Sequence, residues 1–202
     1  MGRLIGNLGI GVSNLNNEPR INERAAFVID GSNFYYSLQG SGISKGHLNF
    51  KRLAEHLAMD RAIVSLEFFI CSVQPADSPE TQKQRRFFSE LHKSGVKIRE
   101  GTLVQRQRRC PACGAVENFR QEKGVDVLLA ITMAKLATEN RTDVIYLLSC
   151  DADFVPVVNY VRGLGKKVFL VAPKGSKYGT LGKACNAAIP VDQMTVNECQ
   201  AY

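Results

Sequence analysis

A chain of 202 residues, 45% of them hydrophobic, is most economically one domain with a full core plus tails or an insertion. No apolar run approaches the roughly 18 residues needed to cross a bilayer, so no membrane-spanning helix is expected. The net charge of +7 and a pI near 9.2 favour a polyanionic partner. The basic excess is local. Residues 83–109 hold nine Lys and Arg side chains against Glu90 and Glu100, an imbalance as large as that of the whole chain. For Lys83 to Lys93 alone, a solvated helix face explains the charge equally simply.

Residues 1–22 begin MGRLIGNLGIGVSNLNNEPR, without a compact apolar stretch or a small-residue cleavage site. They read as a Gly/Asn-rich flexible tail rather than a leader, which predicts a cytoplasmic protein with reduced cysteines. The domain is expected over 23–192. Ala25–Ile29 is a continuous apolar run, as a buried central strand requires. Gly31-Ser32-Asn33 breaks it and opens a helix near Phe34–Leu38. A second helix covers Phe50–Ala58, and Ile63–Val73 is the next strand. After a loop from Pro75 to Pro79, Ser78 can cap a helix that runs to His92 and stops at Gly95. Val96–Val104 is a third strand. Residues 105–122 are polar and basic and contain CPACG, so they form an insertion or hairpin. A long helix spans Val125–Thr138, Val144–Ser149 is a buried strand, and Asp153–Gly163 is a helix. Lys167–Val171 is a strand, and Leu181–Ala187 a short helix before Ile189-Pro190-Val191. Residues 193–202 read as a loose tail. Alternation of strand and helix predicts an α/β fold with a mainly parallel central sheet and helices on both faces.

Four aspartates fall at strand ends or helix starts in three separate segments: Asp30 in FVIDGSN, Asp126 in EKGVD, and Asp151 and Asp153 in SCDADF. Right-handed crossovers bring those ends to one edge of the sheet, where ligands bind. Two like charges about 4 Å apart at an effective dielectric near 20 repel by roughly 4 kcal/mol. Several ionised carboxylates therefore need a proton or a hard cation, and oxygen ligands select Mg²⁺ or Mn²⁺. Asn33, close after Asp30, is placed to orient a water or a phosphate oxygen, and Ser149 adds a hydroxyl at the rim. Singly, Asp126 and Asp153 are also what a helix N-terminus favours, and Asp30 before Gly-Ser is what a turn favours. Jointly the cluster points to metal.

FVIDGSNFYYSL, EKGVDVLLAITMAKLA and DVIYLLSCDADFVPVVNYVRGLGKKVFLV, in that order, resemble the NYN domain, particularly its LabA-like bacterial branch, over about residues 25–191. The resemblance implies a PIN-like three-layer fold and a Mg²⁺-dependent acidic site that cuts RNA. Its site residues would be Asp30, Asp126, Asp151 and Asp153, with Asn33 beside them. Two positions depart from the pattern. Thr132 stands where similar sequences often carry another Asp, and Cys150 where they frequently carry Gly.

Cys110-Pro-Ala-Cys113-Gly has the form of half a zinc knuckle. A third ligand from Cys71, or a homodimer pooling two pairs of thiols, would complete it; a free reduced pair and a redox pair are the alternatives. Cys185 and Cys199 read as plain small residues. Arg106, Arg108, Arg109, Arg120 and Lys123 flank the knuckle and are suited to a nucleic-acid backbone. Tyr35 and Tyr36 could stack on bases or be partly buried. His47, His56 and His92 have no ligand spacing. The leading expectation is a Mg²⁺- or Mn²⁺-dependent endoribonuclease. The alternative is a nucleic-acid-binding regulatory protein on the same scaffold, with little cleavage; a small-molecule phosphatase fits the broad basic surface less well.

Overall fold

The computed structural model describes residues 22–44, 48–72 and 79–200. The elements run β1 (Arg24–Asp30), α1 (Gly31–Gly40), α2 (Phe50–Ala58), β2 (Ala62–Cys71), α3 (Pro79–Lys93), β3 (Lys97–Arg109) and β4 (Val116–Lys123). They continue with α4 (Val125–Thr138), β5 (Val144–Leu148), a short 3-10 turn (Ala152–Phe154), α5 (Val155–Gly163), β6 (Lys167–Pro173), α6 (Gly179–Ala184), β7 (Ala187–Val191) and α7 (Gln193–Glu198).

Among the described residues, seven strands form one sheet in the order β4-β3-β2-β1-β5-β6-β7. Every neighbouring pair is parallel except β3 with β4, which is antiparallel. β1 is buried from Ala25 to Asp30, as the central strand must be when helices cover both faces. The period-2 alternation of the strands divides the core. Phe27, Ile29, Phe68 and Tyr146 meet Phe34, Leu38, Phe50, Leu91 and Val196 of α1, α2, α3 and α7. Val28, Phe69, Ile145 and Leu147 meet Leu129, Met133, Val158 and Leu181 of α4, α5 and α6. This is the three-layer α/β architecture expected from the sequence.

Local sequence explains where helices begin. Asn49 caps α2 by accepting the N–H groups of Lys51 and Arg52, and Asp192 caps α7 through Thr195. Gly31 is forced by space: a methyl there would lie 2.4 Å from the Phe68 ring, so α1 can follow β1 directly only without a side chain. At the opposite edge of the sheet Arg61, with its side chain fully buried, donates to Glu23 at 2.8 Å and to the Tyr146 hydroxyl at 3.1 Å. Asp143 accepts from the backbone and side chain of Arg24 at 2.9–3.0 Å, tying β1 to the start of β5.

Three expectations about the chain's course are corrected. The third strand does not end at Val104; β3 continues to Arg109 and returns as β4, so 105–122 is part of a two-stranded ribbon. The segment from 193 is no loose tail. α7 buries Val196 and the Cys199 that caps it is buried too, and Asn49 N–H donates to the Cys199 carbonyl at 2.8 Å. A capping Asp and one apolar face suffice for a six-residue helix once it docks on a core. The short helix expected at Leu181–Ala187 begins at Gly179 and ends at Ala184, where Ala187 starts β7. Of the N-terminal tail all but Asn22 lies outside the described residues, as do His47 and the loop up to Ser78. The sheet's two margins differ: β4 is exposed at every position, and β7 carries Pro190.

Candidate active site at the carboxyl edge of the sheet

The strand order reverses between β1 and β5, and in doubly wound sheets that reversal opens the crevice where ligands sit. Asp30 closes β1 on one side of it and Ser149 follows β5 on the other. Asp30 is only 4% exposed. One carboxylate oxygen accepts the Asn33 N–H at 3.2 Å, which caps α1; the other accepts the Ser149 hydroxyl at 3.1 Å. Ser149 in turn accepts the Asp151 N–H at 3.1 Å, and Asp151 accepts the Asp153 N–H at 2.9 Å. The Asn33 side-chain oxygen accepts the Cys150 N–H at 2.8 Å. Asp126 enters from the first turn of α4, after Gly124 turns the chain at a φ of 83°.

Burial pushes the Asp30 carboxyl up to about 6, against the pull of its two hydrogen bonds, and the charges of Asp126 and Asp151 push the same way. Asp126 is likewise raised, first by burial and then by Asp151 and Asp153. The four aspartates thus share one field, and none forms an ion pair with a described residue. As the side chains stand, no three His, Cys, Asp or Glu groups among the described residues close around a single metal position. The donor chemistry still suits a hard divalent cation: carboxylate, hydroxyl and amide oxygens with uncompensated negative charge.

Two acidic neighbours escaped the sequence reading. Glu122 meets the Ser32 hydroxyl at 3.4 Å beside Asp30, and the Cys71 thiol is raised by burial, with Glu122, Asp126 and Glu100 as its negative neighbours. The register of the ribbon puts Glu122 on the face of Leu103, and its contact with Ser32 sets that face toward the site. Beside Asp30 a groove of about 540 Å³ runs along α1, lined by Gly31, Ser32, Tyr35, Tyr36, Gln39 and Ile70. Tyr35 belongs to the core, packed edge-on against Phe50 and Phe87, whereas Tyr36 is 75% exposed.

The departures are benign for the backbone. Cys150 has no positive φ, so no glycine is required there. Thr132 returns its hydroxyl to the Leu128 carbonyl at 2.8 Å, within α4.

The five basic residues of the ribbon are all exposed, but they do not form one surface. Cross-strand partners share a face. Arg106 opposite Phe119, Arg108 opposite Glu117 and Lys123 opposite Thr102 lie on one side; Arg120 and Arg109 lie on the other, with Glu122. Arg108 is also ion-paired to Glu117 at 2.8 Å. From Lys123 to the tip the ribbon extends seven residues, about 23 Å at 3.3 Å per residue. Cys110 and Cys113 sit at that tip, where the Cys113 and Ala112 N–H groups donate to the Cys110 sulfur and lower its thiol. Cys71 is excluded as their third ligand. It pairs with Gly101, nine residues before Cys110 along β3, or roughly 30 Å away.

A doubly wound sheet with buried Asp30 and the more exposed Asp126, Asp151 and Asp153 gathered at its switch point defines the class, an α/β protein with an acidic crevice at the carboxyl edge of its strands. The NYN domain model matches residues 24–192, and the chain belongs to the NYN domain family, within the PIN-like nuclease superfamily. A crystal structure of a protein of unknown function from Vibrio parahaemolyticus has a similar fold, with a TM-score of 0.65 and 20% sequence identity over 87% of this chain and 96% of that one. Among curated proteins none matches. No helix of the described residues is long and apolar enough to cross a membrane.

Proposed function

We propose that this protein is a cytoplasmic endoribonuclease that uses Mg²⁺ or Mn²⁺ to hydrolyse RNA phosphodiesters. The observation that carries this reading is Asp30: a buried carboxylate at the strand-order reversal, facing Asp126 and Asp151, with only neutral donors to hold it. Asp30, Asp126 and Asp151 would hold the metal, with Asp153 at the exposed rim to accept a proton from water. A bound divalent ion supplies a water of lowered pKa and offsets charge on the phosphate. Asn33 is a positioning residue, because its side-chain oxygen fixes the backbone after β5 against α1. The groove beside Tyr36 receives a base of the strand, and Arg109 and Arg120, on the ribbon face that carries Glu122, contact its phosphates. Zinc takes no part in cleavage, since Cys110 and Cys113 lie at the far end of the ribbon.

Asp30→Asn and Asp151→Asn should each reduce Mn²⁺-dependent cleavage of single-stranded RNA by about 10²–10⁴-fold, with unchanged far-UV circular dichroism. Full cleavage by both purified variants removes the assignment. Thr132, where similar sequences often carry another Asp, and the exposed basic ribbon favour a second reading, a regulatory RNA-binding protein with little cleavage. Binding retained in EDTA, with no cleavage by the wild-type chain in Mn²⁺, selects that reading.

A further inference from the structure

The tip of the ribbon is organised around one sulfur. Cys110 N–H donates to the Ala115 carbonyl at 2.8 Å, closing the hairpin. Gly114, at a φ of 74°, returns its N–H to the Cys110 carbonyl at 2.9 Å. The backbone N–H groups of Ala112 and Cys113, and the Cys113 thiol, all approach the Cys110 sulfur. Two thiols on one turn, with N–H donors to the first sulfur, make the kind of pair that tetrahedral zinc takes from a C-x-x-C segment.

The ribbon that carries this turn has no core of its own. β4 is exposed along its whole length, and β3 is exposed from Gln105 to Arg109. A two-stranded ribbon standing free in water is marginally stable. An ordered turn at its end therefore calls for a tie. The described residues of one chain do not complete it. Structural zinc takes four ligands, and among the described residues no third Cys, His, Asp or Glu stands with Cys110 and Cys113. Charge points the same way. A zinc tetrathiolate is doubly negative, and each tip carries Arg108 and Arg109, the latter held against the turn through the Gly114 carbonyl at 3.2 Å. Arg108 is already paired with Glu117 at 2.8 Å, so Arg109 is the charge left beside the sulfurs.

We propose that zinc joins two copies of this chain, each giving the Cys110 and Cys113 thiolates to one four-sulfur site on a twofold axis. The contact is isologous, and the four thiol protons leave as the metal binds. This assignment does not rest on the nuclease reading. The test uses the full chain, reduced and stripped of metal, titrated with Co²⁺ and followed by absorption and by analytical ultracentrifugation. The expected result is the intense thiolate charge-transfer and visible bands of tetrahedral tetrathiolate cobalt, saturating at one ion per two chains. Conversion from monomer to dimer should reach its end at the same ratio, and Zn²⁺ should displace the cobalt without dissociating the dimer. Cys110→Ser and Cys113→Ser should abolish both signals. The tip touches no core, so their circular dichroism should match the wild type. Saturation at one ion per chain without dimer, absence of thiolate bands, or a dimer that persists in both variants overturns the proposal. Cleavage is not read in this experiment, so its outcome is separable from that of the nuclease assays.

Discussion

At the scale of the residue, Asp30 makes the strongest statement. A free aspartate titrates near 3.9, whereas burial moves Asp30 to about 6 in the metal-free protein. Between those values the folded chain binds more protons than the unfolded one, so stability falls as pH rises through that window and stays low above it. Asparagine keeps the cap on α1 and carries no charge. In EDTA, urea unfolding should therefore show Asp30→Asn more stable than wild type by about 2–3 kcal/mol above pH 7, with the gap closing toward pH 4. Parallel pH profiles for the two proteins would contradict this. Arg61 is the opposite case, a buried charge with partners. Arg61→Ala should cost about 1–3 kcal/mol, read as a lower urea midpoint, because it removes one of the two cations on Glu23, leaving Lys167, and one of the two partners of the Tyr146 hydroxyl, leaving the Leu57 carbonyl. The four aspartates were legible in the sequence because each adjoins an apolar run or opens a helix. Glu122 was not, since nothing local distinguishes a site-facing acid from a solvent-facing one. Tyr35 and Tyr36 were ambiguous until the packing of α1 set Tyr35 partly against the core and left Tyr36 exposed, both of them lining the groove.

At the scale of the element, the ribbon separates two functions that composition had merged. Glu122 turns toward Ser32, so its face, with Arg120 and Arg109, looks along the site, while Arg106 and Arg108 look away. RNA affinity should fall more for Arg109→Ala/Arg120→Ala than for Arg106→Ala/Arg108→Ala. The first pair should also lower the slope of log K against log salt by about 1–2, measured by filter binding of single-stranded RNA. Equal losses would mean that the strand crosses the ribbon rather than following one face. Hydrophobic periodicity ends β3 early because apolar alternation follows burial, and from Gln105 to Arg109 this strand buries nothing. For a similar reason α7 was invisible: its six residues offer a cap and one apolar anchor, and tertiary contact supplies the rest.

At the scale of the whole molecule, the alternating pattern and right-handed crossovers sufficed to place Asp30 and Asp151 at one edge before any coordinates. The antiparallel return of β4 carries no such rule; the sequence left insertion and hairpin open for 105–122, and the pairing of β3 with β4 makes it a hairpin. If the acidic crevice takes a cation in the folded state alone, Mg²⁺ or Mn²⁺ should raise the melting temperature, and Asp126→Asn should blunt that rise, read by calorimetry. The sheet's margins have a further consequence. β4 exposes an outer row of peptide groups but interleaves Glu117, Arg120, Glu122 and Lys123, while on β7 Pro190 has no N–H to offer a newcomer. Both borders are thus poor templates for fibril growth. Exchanging Glu117, Arg120, Glu122 and Lys123 for valine should make the chain seed its own aggregation, read as a rise in light scattering over the wild type at equal concentration.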